Sequence, residues 1–205
     1  MNTSGAVAVI SAGLLSACTP AAKPLFNGHD LSGWTKVGGE ATYAVEDGAI
    51  VGTRGPGPNT FLRTNELYGD FVLELEFKWD APINSGVQFR SRQRENDGRV
   101  TGYQCELDPT ERRWTGGLYD EAGRGWLVPL ENDPAAMAAV QDQMNWNTLR
   151  IEADDNRLRT WVNGIECAEL IDDKAATGFI ALQVHSAPQY GQIRWRHIRI
   201  TPLDR

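Results

Sequence analysis

In SGVQFRS, residues 85–91, apolar and polar side chains alternate. Successive side chains of a β-strand point to opposite faces. Val87 and Phe89 therefore share one face, and Gln88 and Arg90 share the other. The pattern predicts a strand whose apolar face lies in the core, with the Gln88 amide and the Arg90 guanidinium together on the face that points away from the core.

Two further stretches repeat this arrangement, GYQCELD at 102–108 and FIALQVHS at 179–186. In each of them apolar residues alternate with a glutamine and an ionisable residue. A polar face on a solvated sheet needs no function, so any one strand fits a purely structural interpretation. Three neighbouring strands of this kind would instead form one polar binding surface. Its predicted members are Gln88, Arg90, Gln104, Glu106, Asp108, Gln183 and His185.

Most of the remaining chain is predicted to form short strands joined by tight turns. DFVLELEFKW, residues 70–79, alternates along its whole length. Short Asp-, Asn- and Gly-containing segments, which favour the positive φ of hairpin turns, predict hairpins at 46–48, 154–156 and 163–164. Residues 109–132 show no clear period and are predicted to be irregular.

One helix is predicted, in DPAAMAAVQDQ at 133–143, with Asp133 as N-cap and Pro134 at the first helical position. The chain has 205 residues, of which 41% are hydrophobic, and this is enough for a single domain with a core. The sequence therefore predicts an all-β sandwich of two antiparallel sheets with one short helix.

The net charge and the absence of several known motifs disfavour some classes of function. The net charge is −7 without a basic cluster, which disfavours nucleic acid as a partner. No P-loop, GxSxG, HExxH or paired CxxC motif occurs, and three separate histidines cannot form a local zinc site. Any chemistry must therefore come from side chains gathered across several strands.

The N-terminus predicts export. Residues 6–17 are apolar and uncharged, a length typical of a signal-peptide core and too short to span a membrane. The end of this stretch with the next residue, Leu15-Ser16-Ala17-Cys18, resembles the lipobox of bacterial lipoproteins, although no Lys or Arg precedes the stretch. We expect a lipoprotein-type signal peptide at 1–17, a linker at 18–23, a domain at 24–205, and an envelope protein held to the membrane only by lipid on Cys18. The alternative is a buried N-terminal strand.

Two cysteines remain, Cys105 and Cys167, and an exported protein would hold them in an oxidising compartment where they could pair. Cys105 lies between Tyr103 and Leu107 on the apolar face of its strand, a common place for a free thiol. We favour two buried thiols over a disulfide.

Six blocks of the chain resemble, in order, the bacterial 3-keto-disaccharide hydrolase domain family. They are LFNGHDLSGW, NSGVQFRS, GYQCELD, TGGLYDEAGRGWL, WNTLRIEADDNRLRTWVNG and GFIALQVHS, and the resemblance extends over residues 24–203. His29 and His197 stand where the family often has Lys and Asn, so neither is a catalytic candidate. The resemblance implies a concanavalin A-like jelly-roll fold and an enzyme that cleaves glycosides oxidised to a ketone at C3.

The implied chemistry begins with removal of the C2 proton and needs a base, a donor to the enolate oxygen and an acid for the leaving group. His185 is the first candidate for the base, since histidine commonly titrates near neutrality, and Glu106 is the second. Arg90 would hold the enolate oxygen, and Tyr119 or Asp120 would protonate the leaving group. The predicted substrate-binding residues are Gln88, Gln104, Asp108, Asp120, Trp126 and Gln183.

Three alternatives stay open. A divalent metal bound by Glu106, Asp108 and His185 could replace Arg90 as the electrophile. ELDPTE, residues 106–111, resembles the E-x-D-x-x-E strand of jelly-roll β-glucanases, although Pro109 should end the strand before Glu111. A carbohydrate-binding module without catalysis is the third alternative, because the fold hosts many lectins.

The lipid anchor can be tested directly. We expect the mature protein to partition into detergent and to carry lipid on Cys18, because the lipobox resemblance ends at that residue. Cys18→Ser should release the protein without changing the fold, since the cysteine precedes the domain. Phase partitioning and mass spectrometry of the N-terminus would measure this, and a soluble, unprocessed protein that retains Met1 would contradict it.

Overall fold

The structure is a computed structural model that describes residues 21–203. Within this range the chain forms fifteen β-strands and one short helix, α1 (Pro134–Met137). The strands are β1 (Lys23–Pro24), β2 (Trp34–Gly38), β3 (Thr42–Glu46), β4 (Ala49–Thr53), β5 (Thr60–Thr64), β6 (Phe71–Ala81), β7 (Ser85–Gln93), β8 (Val100–Leu107), β9 (Leu118–Glu121), β10 (Gly125–Val128), β11 (Asn147–Asp154), β12 (Arg157–Val162), β13 (Ile165–Ile171), β14 (Phe179–Val184) and β15 (Gln192–Pro202).

The strands form two antiparallel sheets, as the sequence predicts. One sheet, here called the β6 sheet, has the order β13-β12-β11-β6-β15-β4-β3, and β1 pairs with β15. The other, the β7 sheet, has the order β10-β9-β8-β7-β14-β5-β2. Three residues, 82–84, carry the chain from β6 in the middle of one sheet to β7 in the middle of the other.

The core lies between the two sheets, where their apolar faces meet. The alternation in β6 buries five side chains, and β7 adds two more. Burial of such side chains is the main favourable contribution to folding, roughly 1.5–3 kcal/mol for each large one. These residues are Phe71, Leu73, Leu75, Phe77 and Trp79 from β6, and Val87 and Phe89 from β7.

The three polar strands are neighbours, which is the condition that a shared polar surface requires, because β7 lies between β8 and β14. Gln88 pairs with Gln104 on one side and with Ala181 on the other. The apolar sides of these strands enter the core, which leaves their polar sides on the outer face of the β7 sheet. This outer face carries the candidate site.

The alternation of β7 breaks at Arg90. A register shift between Phe89 and Arg92 marks a β-bulge, and Arg90 has a φ of +45°. A bulge re-aims the side chains that follow it. Ser91 consequently lies on the side of Gln88, and its Oγ donates a hydrogen bond of 2.7 Å to Gln88 Oε1.

Arg90 itself points into the end of the sandwich, where its side chain is only 1% exposed. Its Nε donates to the Gly69 carbonyl oxygen at 2.9 Å, and its Nη1 donates to that of Asp155 at 2.6 Å. Its Nη2 forms an ion pair of 2.6 Å with Asp70. The prediction that Arg90 shares the polar outer face with Gln88 is therefore wrong. The bulge turns the Arg90 side chain away from that face and into the end of the sandwich, where its contacts are structural.

The segment 109–132 is more ordered than the sequence predicts, because β9 and β10 form a hairpin at the edge of the β7 sheet. Strands of four residues place only two side chains on each face, too few to show a period. The helix begins as predicted, with Asp133 Oδ1 accepting from Ala136 N at 2.9 Å, but it ends at Met137.

Cys105 and Cys167 are free, buried thiols, in agreement with the favoured prediction. Burial raises the pKa of the Cys167 thiol to about 12, so it is protonated at neutral pH.

The predicted signal peptide and Cys18 lie outside the described residues, so the lipid anchor stays a prediction. No helix within residues 21–203 is long and apolar enough to cross a membrane. The first described strand, β1, begins at Lys23.

We expect Arg90→Leu to lower the free energy of unfolding by about 3–5 kcal/mol, because it removes one member of a buried ion pair and leaves buried carbonyls without a donor. Denaturant unfolding would measure this. Arg157→Leu is the control: its pair with Glu169 is exposed, 45% and 42%, and should contribute about 1 kcal/mol or less. Equal losses in the two variants would contradict the structural role of Arg90.

Candidate functional site

A polar cleft of about 670 Å³ opens on the outer face of the β7 sheet. Its walls come from β8, from the β9–β10 hairpin and from the loops beside them. Such volumes are typical of small-molecule sites. The lining residues are Asn59, Asn84, Arg99, Gln104, Glu106, Asp108, Thr110, Arg112, Tyr119, Glu121, Ala122, Trp126 and His185.

A chain of amide hydrogen bonds runs beneath the cleft and ends on Glu106. Gln88 Nε2 donates to Gln104 Oε1 at 2.6 Å, and Gln104 Nε2 donates to Glu106 Oε2 at 2.8 Å. The other carboxylate oxygen accepts from Asn84 Nδ2 at 2.5 Å. Gly86 makes room for this chain, since a Cβ there would clash with the Gln104 side chain. Glu106 is thus held in one orientation.

Burial raises the pKa of Glu106 from its ordinary 4.5 to about 7. The residue is 4% exposed, and removal from water disfavours the carboxylate. The amide hydrogen bonds and the charge of Arg112 lower the pKa in part, while Asp108 nearby raises it further. Glu106 can therefore exchange a proton near neutral pH, as a general acid or base must.

Arg112 supplies the positive charge on this side of the cleft. Its Nε donates to Asp108 Oδ2 at 2.7 Å, and its Nη2 lies 3.5 Å from Glu106 Oε1. Its guanidinium lies over two tryptophan rings, 4.8 Å from the centroid of Trp114 and 4.9 Å from that of Trp126. These contacts fix the guanidinium while leaving the side chain partly open to the cleft.

Asp108 is ionised by its partners. Burial would raise its pKa, but hydrogen bonds from Arg112 and Thr110 outweigh burial and hold the pKa below the ordinary value. Glu106 and Asp108 are two residues apart on the same side of the chain, and their environments shift their pKa values in opposite directions. A pair of carboxyl groups separated in this way is typical of acid–base sites.

His185 lines the same cleft, directly after β14. Its Nδ1 is 2.5 Å from the Ser186 carbonyl oxygen, and its backbone N donates to the Asn84 carbonyl at 3.2 Å. A carbonyl oxygen only accepts hydrogen bonds, which assigns the proton to Nδ1. The Nε2 atom of the neutral ring is then an acceptor that can take a proton.

Strand β9 divides its side chains between the cleft and the interior. Tyr119 and Glu121 line the cleft, whereas Asp120 points to the other side and is fully buried. Asp120 Oδ2 pairs with Arg124 Nε at 2.7 Å and with Lys174 Nζ at 2.5 Å. The prediction that Asp120 contacts substrate or protonates the leaving group is wrong, because its carboxylate is engaged in a structural ion pair.

Two of the predicted glutamines lie below the cleft instead of in it. Gln88 and Gln183 are both fully buried. Gln88 orients Gln104, and Gln183 Nε2 donates to Glu121 Oε2 at 3.3 Å. The expectation that these two amides meet substrate is corrected: neighbouring side chains cover them, and they orient the residues above.

The cleft nevertheless gathers most of the predicted site. Six predicted residues line it: Gln104, Glu106, Asp108, Tyr119, Trp126 and His185. Arg90, Gln88, Asp120 and Gln183 do not. Sequence reasoning missed Asn59, Asn84, Arg99, Thr110, Arg112 and Glu121, which come from loops or from β9, where no period was visible. Only Glu121 could have been found from the sequence, because it is adjacent to the predicted site residue Asp120 and would lie on the opposite face of a strand.

Glu106, Asp108 and His185, the ligand set considered for a divalent metal, all line the cleft. Among residues 21–203, however, no three His, Cys, Asp or Glu side chains are grouped so that they could hold a metal ion. Asp108 is bound by Arg112 instead. The described residues therefore offer no ligand set for the metal.

A larger hollow of about 710 Å³ lies on the β6 sheet and is lined in part by His197, Arg150 and Trp161. Arg150 forms an ion pair of 2.5 Å with Glu152, which lies outside the lining. His197 is exposed and contacts Glu76 at 3.2 Å, as expected for a surface residue. This hollow lacks the buried carboxyl groups of the cleft, so the cleft is the better candidate for chemistry.

Several solved structures share this fold, and three of them are described here. A candidate glycosyl hydrolase from Parabacteroides distasonis is 21% identical, with a TM-score of 0.64, and the match covers 89% of this chain and 94% of that one. A carbohydrate-binding module from Bacillus subtilis is 17% identical, with a TM-score of 0.60 and coverage of 82% and 95%. A lichenase from a mouse hindgut metagenome is 14% identical, with a TM-score of 0.59 and coverage of 90% and 100%.

These likenesses establish the fold class as a jelly-roll β-sandwich, as predicted. No curated protein matches the sequence. The model of the 3-keto-alpha-glucoside-1,2-lyase-like domain family matches residues 21–201. The chain belongs to this family, which confirms the resemblance seen in the sequence.

Glu106→Gln should make the protein more stable at neutral and higher pH. The folded protein holds the Glu106 proton up to a pKa of about 7, whereas the unfolded chain releases it near 4.5. The contribution of Glu106 to stability is therefore complete below pH 4.5 and is lost as the pH rises through 7. Above that pH the variant should exceed the parent by about 3 kcal/mol, from a shift of two to three pKa units. Denaturant unfolding of both proteins from pH 4 to 8 would measure this, and parallel curves would contradict it.

Proposed function

We propose that the protein cleaves glycosides whose C3 hydroxyl has been oxidised to a ketone, by elimination across the C1–C2 bond and net hydrolysis. The observation that carries the proposal is that His185, Glu106 and Arg112 open into one cleft. A proton acceptor, a carboxyl with a pKa near neutrality and a fixed cation are the groups that such an elimination requires. Membership of the 3-keto-alpha-glucoside-1,2-lyase-like family supports the same chemistry.

The ketone makes the reaction possible because it acidifies the proton on the neighbouring carbon, C2. A base removes that proton, and the electron pair moves onto the ketone oxygen as an enolate. The enolate then reforms the ketone and a C1–C2 double bond, while the C1–O bond breaks and the leaving oxygen takes up a proton. Addition of water across the double bond completes hydrolysis. An unoxidised sugar has no ketone to accept the electron pair.

His185 is proposed as the base, since its Nε2 is left as an acceptor by the contact of Nδ1 with Ser186. Glu106 remains the second candidate, because its pKa of about 7 lets it accept a proton near neutral pH. General acid–base catalysis by one group typically contributes about 10²–10⁴-fold.

Arg112 takes the role that the sequence had assigned to Arg90. Its guanidinium is fixed by Asp108 and by two tryptophan rings, so it can meet a developing negative charge without reorganisation. The Tyr119 hydroxyl is a second donor within the cleft, and the partly exposed Trp126 ring, which holds Arg112 over one face, offers apolar surface to a sugar ring. Asn84 supplies a planar amide for sugar hydroxyls.

A carbohydrate-binding module without catalysis is the second candidate. Trp126 beside planar amides is an arrangement suited to binding a sugar alone, and a solved structure of similar fold is a carbohydrate-binding module. The β-glucanase alternative is weaker, because β8 ends at Leu107 before Pro109, and Glu111 is exposed and does not line the cleft.

The test compares the protein on a 3-keto-glucoside, on the unoxidised glucoside and on plain β-glucan. We expect turnover of the keto substrate alone, because only the ketone acidifies C2. Chromatographic detection of the released aglycone and of the sugar product would measure this. Binding of a sugar without turnover would favour the module, and cleavage of β-glucan would favour the glucanase.

His185→Ala should reduce kcat by about 10²–10⁴-fold if the imidazole is the base. Arg112→Met should reduce kcat by about 10²–10³-fold, because the guanidinium binds the enolate more tightly than the ketone. His197→Ala is the matched control and should behave as the parent, since His197 is exposed on the β6 sheet. An unchanged kcat in His185→Ala would transfer the role of base to Glu106.

A further inference from the structure

A second hollow adjoins the cleft and shares three of its lining residues, Asn59, Arg99 and Glu121. Its volume is about 370 Å³, within the range of small-molecule sites. The two hollows, together called the groove, therefore adjoin each other on the outer face of the β7 sheet, with Glu121 at their border.

The second hollow has an apolar floor, in contrast to the cleft. Phe61 and Val100 line it, and they belong to a small hydrophobic cluster separate from the main core, together with Phe179 and Ala181. Val37 packs against the same cluster. An apolar floor suits the face of a sugar ring or an aromatic group better than it suits a developing charge.

Glu121 is held at the border by two amides. Asn59 Nδ2 donates to its Oε1 at 3.2 Å, and Gln183 Nε2 donates to its Oε2 at 3.3 Å. Asn59 is fixed in turn, since its Oδ1 accepts from Ser186 N at 2.9 Å. Burial raises the pKa of Glu121, and the hydrogen bond from Asn59 lowers it in part. A carboxyl with a raised pKa is suited to donating a proton.

We infer that the second hollow binds the leaving group of the glycoside and that Glu121 protonates the glycosidic oxygen. This inference rests on the proposed function and specifies it: the substrates are 3-keto-glycosides with a ring-shaped leaving group, the oxidised sugar lies in the cleft, and the bond that breaks lies at Glu121. As the C1–O bond breaks, its electron pair stays on the leaving oxygen, which takes the proton from the Glu121 carboxyl. The C2 proton passes to the base, and exchange with solvent restores both groups.

The size of the leaving group and its need for a proton can be tested separately. The test uses three 3-keto-glucosides that differ in the leaving group. The methyl glycoside has a small, poor leaving group and the benzyl glycoside has a large, poor leaving group. The para-nitrophenyl glycoside has a large, good leaving group. Gln93 lines the second hollow, whereas its exposed neighbour Arg92 lines neither hollow. Gln93→Trp should therefore fill the hollow, and Arg92→Trp is the matched control.

We expect Gln93→Trp to lower kcat/KM for the benzyl and para-nitrophenyl substrates about tenfold or more, mainly through KM, and to leave the methyl substrate unchanged. Arg92→Trp should leave all three unchanged. Glu121→Gln should lower kcat about 10²–10⁴-fold for the methyl and benzyl substrates but much less for para-nitrophenyl, whose leaving group needs no proton.

Either of two results would overturn the inference. If Gln93→Trp affects all three substrates equally or none of them, the leaving group does not lie in the second hollow. If Glu121→Gln lowers the rates of all three equally, Glu121 is not the acid. A parent protein that turns over none of the three would instead overturn the proposed function, and the inference with it.

Discussion

The buried guanidinium of Arg90 is the constraint on which the arrangement of the outer face depends. It joins β7 to the loop before β6 through Gly69 and Asp70, and to the turn after β11 through Asp155. Its bulge also resets the alternation of β7, so that Ser91 supports Gln88. From Gln88 the hydrogen bonds continue through Gln104 to Glu106. A structural ion pair at the end of the sandwich thereby sets the orientation of a carboxyl in the cleft.

Two carboxyl groups of the cleft have different pKa values because their surroundings differ. Glu106 and Asp108 are neighbours on one side of the chain, but only Asp108 receives a short ion pair from Arg112. Burial dominates at Glu106 and raises its pKa, whereas pairing dominates at Asp108 and lowers it. At neutral pH one carboxyl can still exchange a proton while the other serves as a fixed negative charge that positions Arg112.

The sequence predicts what depends on regular alternation and fails where alternation stops. The two sheets and the core face of β6 follow from period-two patterns, whereas the pairing of β14 with β7 joins segments far apart in the sequence and does not. Arg90 is misplaced because a bulge changes the period by one residue. Arg112 and Glu121 are missed because loops and four-residue strands carry no readable period. The burial of the Gln88 and Gln183 side chains depends on the neighbouring elements that cover them, and the sequence of a single strand does not show this.

The adjacency of Asp120 and Glu121 in β9 constrains which insertions and deletions the protein can tolerate. The two acids are adjacent in sequence, yet Asp120 forms the ion pair with Arg124 and Lys174 behind the strand while Glu121 faces the groove. Loss or gain of a single codon within β9 would exchange the two faces. Such a change would remove both the carboxylate that pairs with Arg124 and Lys174 and the carboxyl group that faces the groove. The turn at 122–124 is tied to the same carboxylate, because the backbone N and the Nε of Arg124 both donate to Asp120 Oδ2, so a change in the length of the turn would also disturb the ion pair.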